Sequence, residues 1–97
     1  MFGKTAVSTL KRWHRCEAGS SEGVELYWLV DYNAKHRGFI FAHPGGSFEG
    51  VVCEQMSNPY SSTGIVDRWC LCAKSLGEAI SEFETKCIEN NLPIWCS

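Results

Sequence analysis

The sequence predicts an α+β domain, with an antiparallel sheet of three to four strands and one or two helices packed on one face. Three observations predict this fold. Segments of two-residue apolar alternation recur between residues 24 and 73, short turn-forming stretches separate them, and an apolar stripe at helical spacing follows them. A chain of 97 residues is sufficient for a single small domain, which we place at residues 1–97.

Four segments are predicted as strands. VELYWLVDY (residues 24–32) places alternate side chains on opposite faces, as a pleated strand requires. GFIFAH (38–43), FEGVVCEQ (48–55) and IVDRWCLCA (65–73) follow. In the last of these, the alternation puts Ile65, Asp67 and Trp69 on one face. The hairpin-length connections between residues 33 and 47 favour antiparallel pairing.

Two segments are predicted as helices. The clearer one runs from Leu76 to Asn90: Ser75 and Glu78 form a capping-box pattern, and Pro93 prevents continuation. Its apolar residues recur at spacings of three and four, so one face should pack on the sheet. The other predicted helix covers about Lys4 to Glu17, where apolar residues also recur at helical spacing.

Composition restricts the compartment and the chemistry. No apolar run approaches the roughly 18 residues that cross a bilayer, and the N-terminus lacks the apolar stretch of a signal peptide. We therefore expect an intracellular protein with no membrane partner. In a reducing compartment the 6 cysteines should be mostly free thiols that pack as small apolar residues.

The sequence contains no motif for catalysis, metal binding or a cofactor. The spacing of Cys70 and Cys72 does not match a zinc knuckle, and GGSFEG differs in spacing from a dinucleotide fingerprint. Cysteines and histidines are numerous enough for a thiol or metal site, but no local signature accompanies them. We expect no enzymatic activity, no metal and no cofactor, and keep a thiol or metal protein as the weakest alternative.

Charge is distributed unevenly along the chain. The formal net charge is −2, but residues 1–16 carry four bases and no acid, whereas residues 17–97 carry five bases and all 11 acids. Such asymmetry is informative about partners. A surface rich in carboxylates could occupy a channel lined with Lys and Arg that normally holds a phosphate backbone. The candidate contact residues are Glu78, Glu82, Glu89, Glu25, Asp31, Glu49, Glu54 and Asp67.

The basic first segment supports a different interpretation. Lys11, Arg12 and Arg15 surround Trp13 in KRWHR, and a basic segment can contact phosphates. The alternative function is therefore a small nucleic-acid-binding regulator that uses these three residues. The acidic balance of the remaining chain favours a protein or ribonucleoprotein partner over direct contact with nucleic acid.

The layout resembles a known class of small proteins. The succession VELYWLVDYN, GFIFAH, RWCLCAKSL and GEAISEFETK, over about residues 24–92, is similar to the strand–strand–strand–helix arrangement of phage-borne anti-CRISPR proteins, particularly those acting on type I surveillance complexes. The resemblance implies a non-enzymatic inhibitor that binds a crRNA-guided complex and blocks target DNA, in some members by acidic DNA mimicry. It also implies a cytoplasmic location, in the host cell if the protein is phage-encoded.

Overall fold

The computed structural model describes residues 13–16, 23–29 and 33–94 and shows an antiparallel sheet with a helix packed against it. The strands are β1 (Trp13–Cys16), β2 (Glu25–Leu29), β3 (His36–Ala42), β4 (Phe48–Glu54) and β5 (Ile65–Leu71), and the helix is α1 (Leu76–Glu89). They form one sheet in the order β1-β2-β3-β4-β5, and every neighbouring pair is antiparallel. The α+β prediction is confirmed, but the sheet has five strands rather than three to four.

The additional strand lies where a helix was predicted. Within the predicted helix of Lys4 to Glu17, residues Trp13–Cys16 form β1, which pairs with β2 from Trp13↔Leu29 to Cys16↔Leu26. The remainder of that predicted helix lies outside the described residues. Trp13 is buried, whereas His14 is exposed, so alternation across a sheet and pairing with β2 govern this stretch. Local helical spacing could not reveal that pairing partner.

Helix α1 begins and ends close to the predicted positions. The Ser75 hydroxyl accepts a hydrogen bond from the Glu78 backbone N–H at 3.3 Å, and Asn91 adopts φ 55° just beyond the last turn. Ala79, Ile80, Phe83 and Cys87 are buried. Ile88 is 65% exposed, because it lies about 120° around the helix from Leu76, at the margin of the apolar stripe.

The main core lies between α1 and the sheet. Phe83 is fully buried and makes edge-on contacts with Trp13 and Trp69, at centroid distances of 5.6 and 5.7 Å. Two glycines of the central strands accommodate its ring: a β-carbon on Gly38 would lie 2.8 Å from Cε2, and one on Gly50 would collide with Cδ1. The absence of side chains at these two positions therefore lets the helix approach the sheet closely.

A second apolar cluster covers the opposite face of the sheet, which we call the loop face. Its buried members are Leu26, Phe39, Phe41, Val51 and Cys53. The loop from Gln55 to Gly64 folds over part of this face. Its Ser57 and Pro59 carbonyls accept hydrogen bonds from side chains of the sheet, which fixes the loop on the strands.

A shift in the pairing of β4 with β5 places Ile65 on the face of the sheet opposite to the predicted one. Val52 pairs with Asp67, but the next residue, Cys53, pairs with Ile65, so that the register shifts by one at Val66. Ile65 packs on the loop-face cluster rather than sharing a face with Asp67 and Trp69. A bulge reverses the facing of the residues beyond it, so simple alternation was wrong for Ile65.

Candidate functional site

The acids predicted on the helix lie together along its outer flank. Glu78, Glu82 and Glu89 fall within about 40° of one direction around α1. That direction points away from the buried side that carries Phe83. Glu78 and Glu89 are exposed and Glu82 is half-buried. We call these three residues the acidic flank.

Two members of the acidic flank also hold the backbone in place. Both carboxylate oxygens of Glu82 accept from the Cys72 N–H, at 2.9 and 3.1 Å. Glu78 Oε1 accepts from the Lys74 N–H at 3.0 Å. These bonds connect α1 to the turn that follows β5. The acidic flank therefore lies beside the end of the edge strand, and two of its carboxylates have fixed positions.

Two strand acids lie on the same side of the sheet as the helix. Asp67 pairs with Val52, a member of the core beneath α1. Glu54 lies two residues beyond Val52 on β4, so it has the same facing, and it is exposed. With the helix acids, these residues give the helix side of the sheet an excess of negative charge.

Glu25 also lies on the helix side, but its charge is paired. Its carboxylate lies 3.0 Å from Arg15 Nη2 and accepts a hydrogen bond from the Tyr27 hydroxyl at 3.0 Å. Burial, followed by the hydrogen bond to Glu25, raises the pKa of Tyr27. The pairing links β1 to β2 at the edge of the sheet distant from β5, so Glu25 is separate from the acidic flank.

Glu49 occupies the opposite face of the sheet. Its carboxylate lies 3.0 Å from Arg68 Nη1 and 3.7 Å from His43 Nε2. Arg68 also donates to the Pro59 carbonyl at 3.3 Å. The structure therefore does not bring Glu49 together with the helix acids; it belongs to a polar group beneath the loop.

The residues of the nucleic-acid alternative are only partly within the described chain. Arg15 lies on β1 and is paired with Glu25, so its positive charge is largely compensated locally. Lys11 and Arg12 lie outside the described residues, as does Asp31 from the acidic set. Arg15 alone does not form a basic patch.

The described cysteines are free thiols in separate environments. Cys53 and Cys87 are buried, Cys70 and Cys72 are exposed, and Cys16 is half-buried. Burial raises the pKa of the Cys87 thiol to about 12 and also raises the pKa of Cys53. In residues 13–16, 23–29 and 33–94, no three Cys, His, Asp or Glu side chains are grouped closely enough to hold a metal ion. Within the same ranges, no helix has the length and apolar character needed to cross a bilayer.

Comparison of the chain with protein-family models, with curated proteins and with solved structures finds no match.

Sequence reasoning missed a pocket on the loop face. It has a volume of about 210 Å³ and lies between β2, β3 and the loop that follows β4. Its lining includes Leu26, Trp28, Arg37, Phe39, Pro59 and Tyr60. The sequence NAKHRG around Arg37 has the composition of a turn. No local pattern there predicts contact between Arg37 and aromatic residues of other segments. The pairing of β2 with β3 and the hydrogen bonds that fix the loop on the sheet bring these side chains together.

Proposed function

We propose that this chain is a non-enzymatic binding protein that places its acidic helix side on a surface lined with Lys and Arg. The acidic flank supports this proposal most directly. Glu78, Glu82 and Glu89 share one outward direction. Helix α1 is held on the sheet by the burial of Phe83 and by the hydrogen bonds from the Cys72 N–H to Glu82. Fixed carboxylates lose little freedom on binding, which favours affinity.

The carboxylates that bind the backbone remain available to a partner. An ionised carboxylate has about four acceptor sites, and the bonds from Cys72 and Lys74 use only part of this capacity on Glu82 and Glu78. A Lys or Arg side chain could therefore approach the remaining lone pairs and form charge-assisted hydrogen bonds.

The acidic flank forms a row of closely spaced charges. At about 1.5 Å per residue, Glu82 lies roughly 6 Å along the helix axis from Glu78, and Glu89 lies roughly 10.5 Å beyond Glu82. A row of carboxylates offers several acceptors to the cations of a channel, as a phosphate backbone does. This arrangement supports acidic mimicry of nucleic acid.

The partner that we propose is a crRNA-guided type I CRISPR surveillance complex, in agreement with the resemblance of the sequence to anti-CRISPR proteins. Such a partner would offer a cationic channel for target DNA. Occupation of that channel would block DNA binding without any chemical step. Attraction between opposite charges would accelerate docking and would weaken as salt is added.

The test measures target-DNA binding by a panel of purified type I complexes with and without the protein. We expect at least one complex to retain the protein and to lose DNA binding as the protein is added. The triple variant E78Q/E82Q/E89Q should associate about tenfold more slowly at low salt. Glutamine removes the charge but keeps an acceptor for the Cys72 and Lys74 N–H groups.

A control variant changes the net charge by the same amount at other places. Ser47, Met56 and Ser62 are exposed in turns and loops, and S47K/M56K/S62K adds three positive charges there. We expect this control to associate at nearly the rate of the unmodified protein. Equal rates for both variants would contradict a specific role of the acidic flank. Failure of every type I complex to retain the protein would contradict the proposed partner.

A further inference from the structure

The pocket on the loop face contains a cation in apolar surroundings. The Arg37 guanidinium carbon lies 5.3 Å from the ring centroid of Trp28 and 5.0 Å from that of Phe39. The two rings are stacked on each other, with planes inclined by 12°. Leu26 and Pro59 contribute further apolar wall. The aromatic faces attract the guanidinium and hold its planar group at the edge of the pocket.

Arg37 differs from the other arginines in the described part of the chain. Arg15 is paired with Glu25 and Arg68 with Glu49. No carboxylate of residues 13–16, 23–29 and 33–94 forms an ion pair with Arg37, and no acid is among the residues that line its pocket. Its Nη1 donates to the Ser57 carbonyl at 2.9 Å. A guanidinium has five N–H donors, so this bond leaves donors for an additional acceptor.

We propose that this pocket binds an acidic side chain of a partner protein, next to an aromatic or branched apolar side chain of the same segment. The carboxylate would accept two parallel hydrogen bonds from Arg37. The neighbouring apolar side chain would pack between Trp28 and Tyr60. The volume of about 210 Å³ is sufficient for one large side chain.

The composition of the pocket favours a carboxylate over a phosphate. Phosphate sites usually combine several donors or cations, because the group carries about −1.5 to −2 charges and three acceptor oxygens. Here Arg37 is the single cation of a lining that is otherwise mostly apolar, with Asn58 as its one amide. The single positive charge of Arg37 therefore matches one carboxylate, and the apolar walls match an apolar side chain next to that carboxylate.

The exposure of Tyr60 favours a peptide segment as the source of that carboxylate. Tyr60 is 60% exposed and packs edge-on against Phe41 at a centroid distance of 5.6 Å, so its ring stands at the mouth of the pocket with a fixed position. Exposed Tyr and Arg side chains in contact with apolar pockets are common anchors of protein interfaces. The site lies on the face of the sheet opposite α1, so it does not depend on the proposed role of the acidic flank.

The test uses capped dipeptides as probes and nuclear magnetic resonance as the readout. Ac-Glu-Phe-NH₂ is titrated into the intact protein while the indole N–H of Trp28 and the guanidinium N–H of Arg37 are observed. We expect saturable shifts of both signals. Ac-Gln-Phe-NH₂ has nearly the same shape without the charge and should bind about tenfold more weakly, because hydrogen bonds between two charged groups are stronger than those to a neutral amide.

Two variants and a third probe complete the design. R37Q should abolish the preference for the acidic peptide. Y60A removes an exposed ring, leaves Arg37 in place, and should weaken both peptides. S81A is the control, because Ser81 is exposed on α1 on the opposite side of the sheet, and this change should leave the binding of both peptides unaltered. Equal binding of the two peptides, tighter binding of the phosphoserine analogue Ac-pSer-Phe-NH₂, or unchanged Trp28 and Arg37 signals would each overturn the proposal.

Discussion

The ring of Phe83 lies directly on the backbone of Gly50, and this contact sets how closely the helix approaches the sheet. Gly50 faces α1 from the centre of β4. It pairs with Ile40, which is buried in the core, and with Trp69, which packs against the core. A side chain as small as a methyl group would occupy the space of the ring. The position of the acidic flank therefore depends on the absence of a side chain at Gly50.

The first prediction concerns this contact. Gly50→Ala should lower the free energy of unfolding by about 1–3 kcal/mol, because overpacking forces the ring or the helix to move. Urea unfolding measures the change. Gly45→Ala is the matched control, since a β-carbon there meets nothing within 4 Å. The double variant G50A/F83L should lose less stability than the two single changes together, because the smaller side chain relieves the collision. Equal stability of Gly50→Ala and Gly45→Ala would refute the contact.

The second prediction concerns the attachment of β1 to the helix. Trp13 Nε1 donates to Glu84 Oε2 at 3.1 Å, and Trp13 is buried. Glu84→Ala leaves the indole N–H without this acceptor and should cost about 1–3 kcal/mol. Glu84→Gln keeps an oxygen acceptor and should cost less.

Glu89→Ala serves as the control, because Glu89 is exposed on the same helix. Chemical unfolding compares the three variants with the unmodified protein. The attachment would be disproved if Glu84→Ala and Glu89→Ala had the same stability.

The third prediction concerns thiol reactivity. The thiolate is the reactive form, and the raised pKa values of Cys53 and Cys87 make their thiolate fractions smaller than that of an ordinary cysteine. Cys70 and Cys72 are exposed. In native protein at pH 8, iodoacetamide should modify Cys70 and Cys72 first, and Cys87 should react about 100-fold more slowly. Mass spectrometry of the resulting peptides identifies the sites. Rapid labelling of Cys87 under these conditions would show that the core is open.

The fourth prediction concerns alkaline pH. The Cys87 pKa rises from 9.0 to about 12 on folding, so the unfolded chain loses this proton first as the pH increases. Stability should be constant below pH 9 with respect to this group and should fall between pH 9 and about 12. Raised pKa values of Cys53 and Tyr27 act in the same direction.

Urea midpoints between pH 8 and 11 measure this dependence. Cys87→Ala costs stability at every pH because it leaves a cavity, but its stability should fall less steeply above pH 9 than that of the unmodified protein. Identical slopes would contradict the assignment to Cys87.

Local patterns in the sequence were sufficient to predict α1 and four of the strands. The Ser75 cap, the buried stripe around Phe83 and the stop at Pro93 are all encoded within about one helix length. Trp13 was different, because its spacing from Val7 and Leu10 fits a helix while its actual neighbours, Leu29 and Phe83, are distant in sequence. Tertiary pairing therefore prevailed over a local pattern.

The candidate surfaces were predictable only in part. Glu78, Glu82 and Glu89 share a flank because helical geometry places them there, so their spacing in the sequence is sufficient to group them. The location of Glu49 beneath the loop depends on Arg68 and on the strand order, which alternation does not specify. The Arg37 pocket is formed by side chains from β2, β3 and the loop that follows β4. These segments are distant in sequence, so no local pattern predicts that they meet.

Carboxylate footprinting of the protein bound to its partner would show whether the acidic flank forms the contact. Carbodiimide coupling to an amine, read by mass spectrometry, reports the accessibility of each acid in the free and bound states. We predict that coupling at Glu78, Glu82, Glu89 and Asp67 slows in the complex, whereas coupling at Glu49 is unchanged. A stable complex in which the acids of the flank couple as rapidly as in the free protein would contradict binding through this surface.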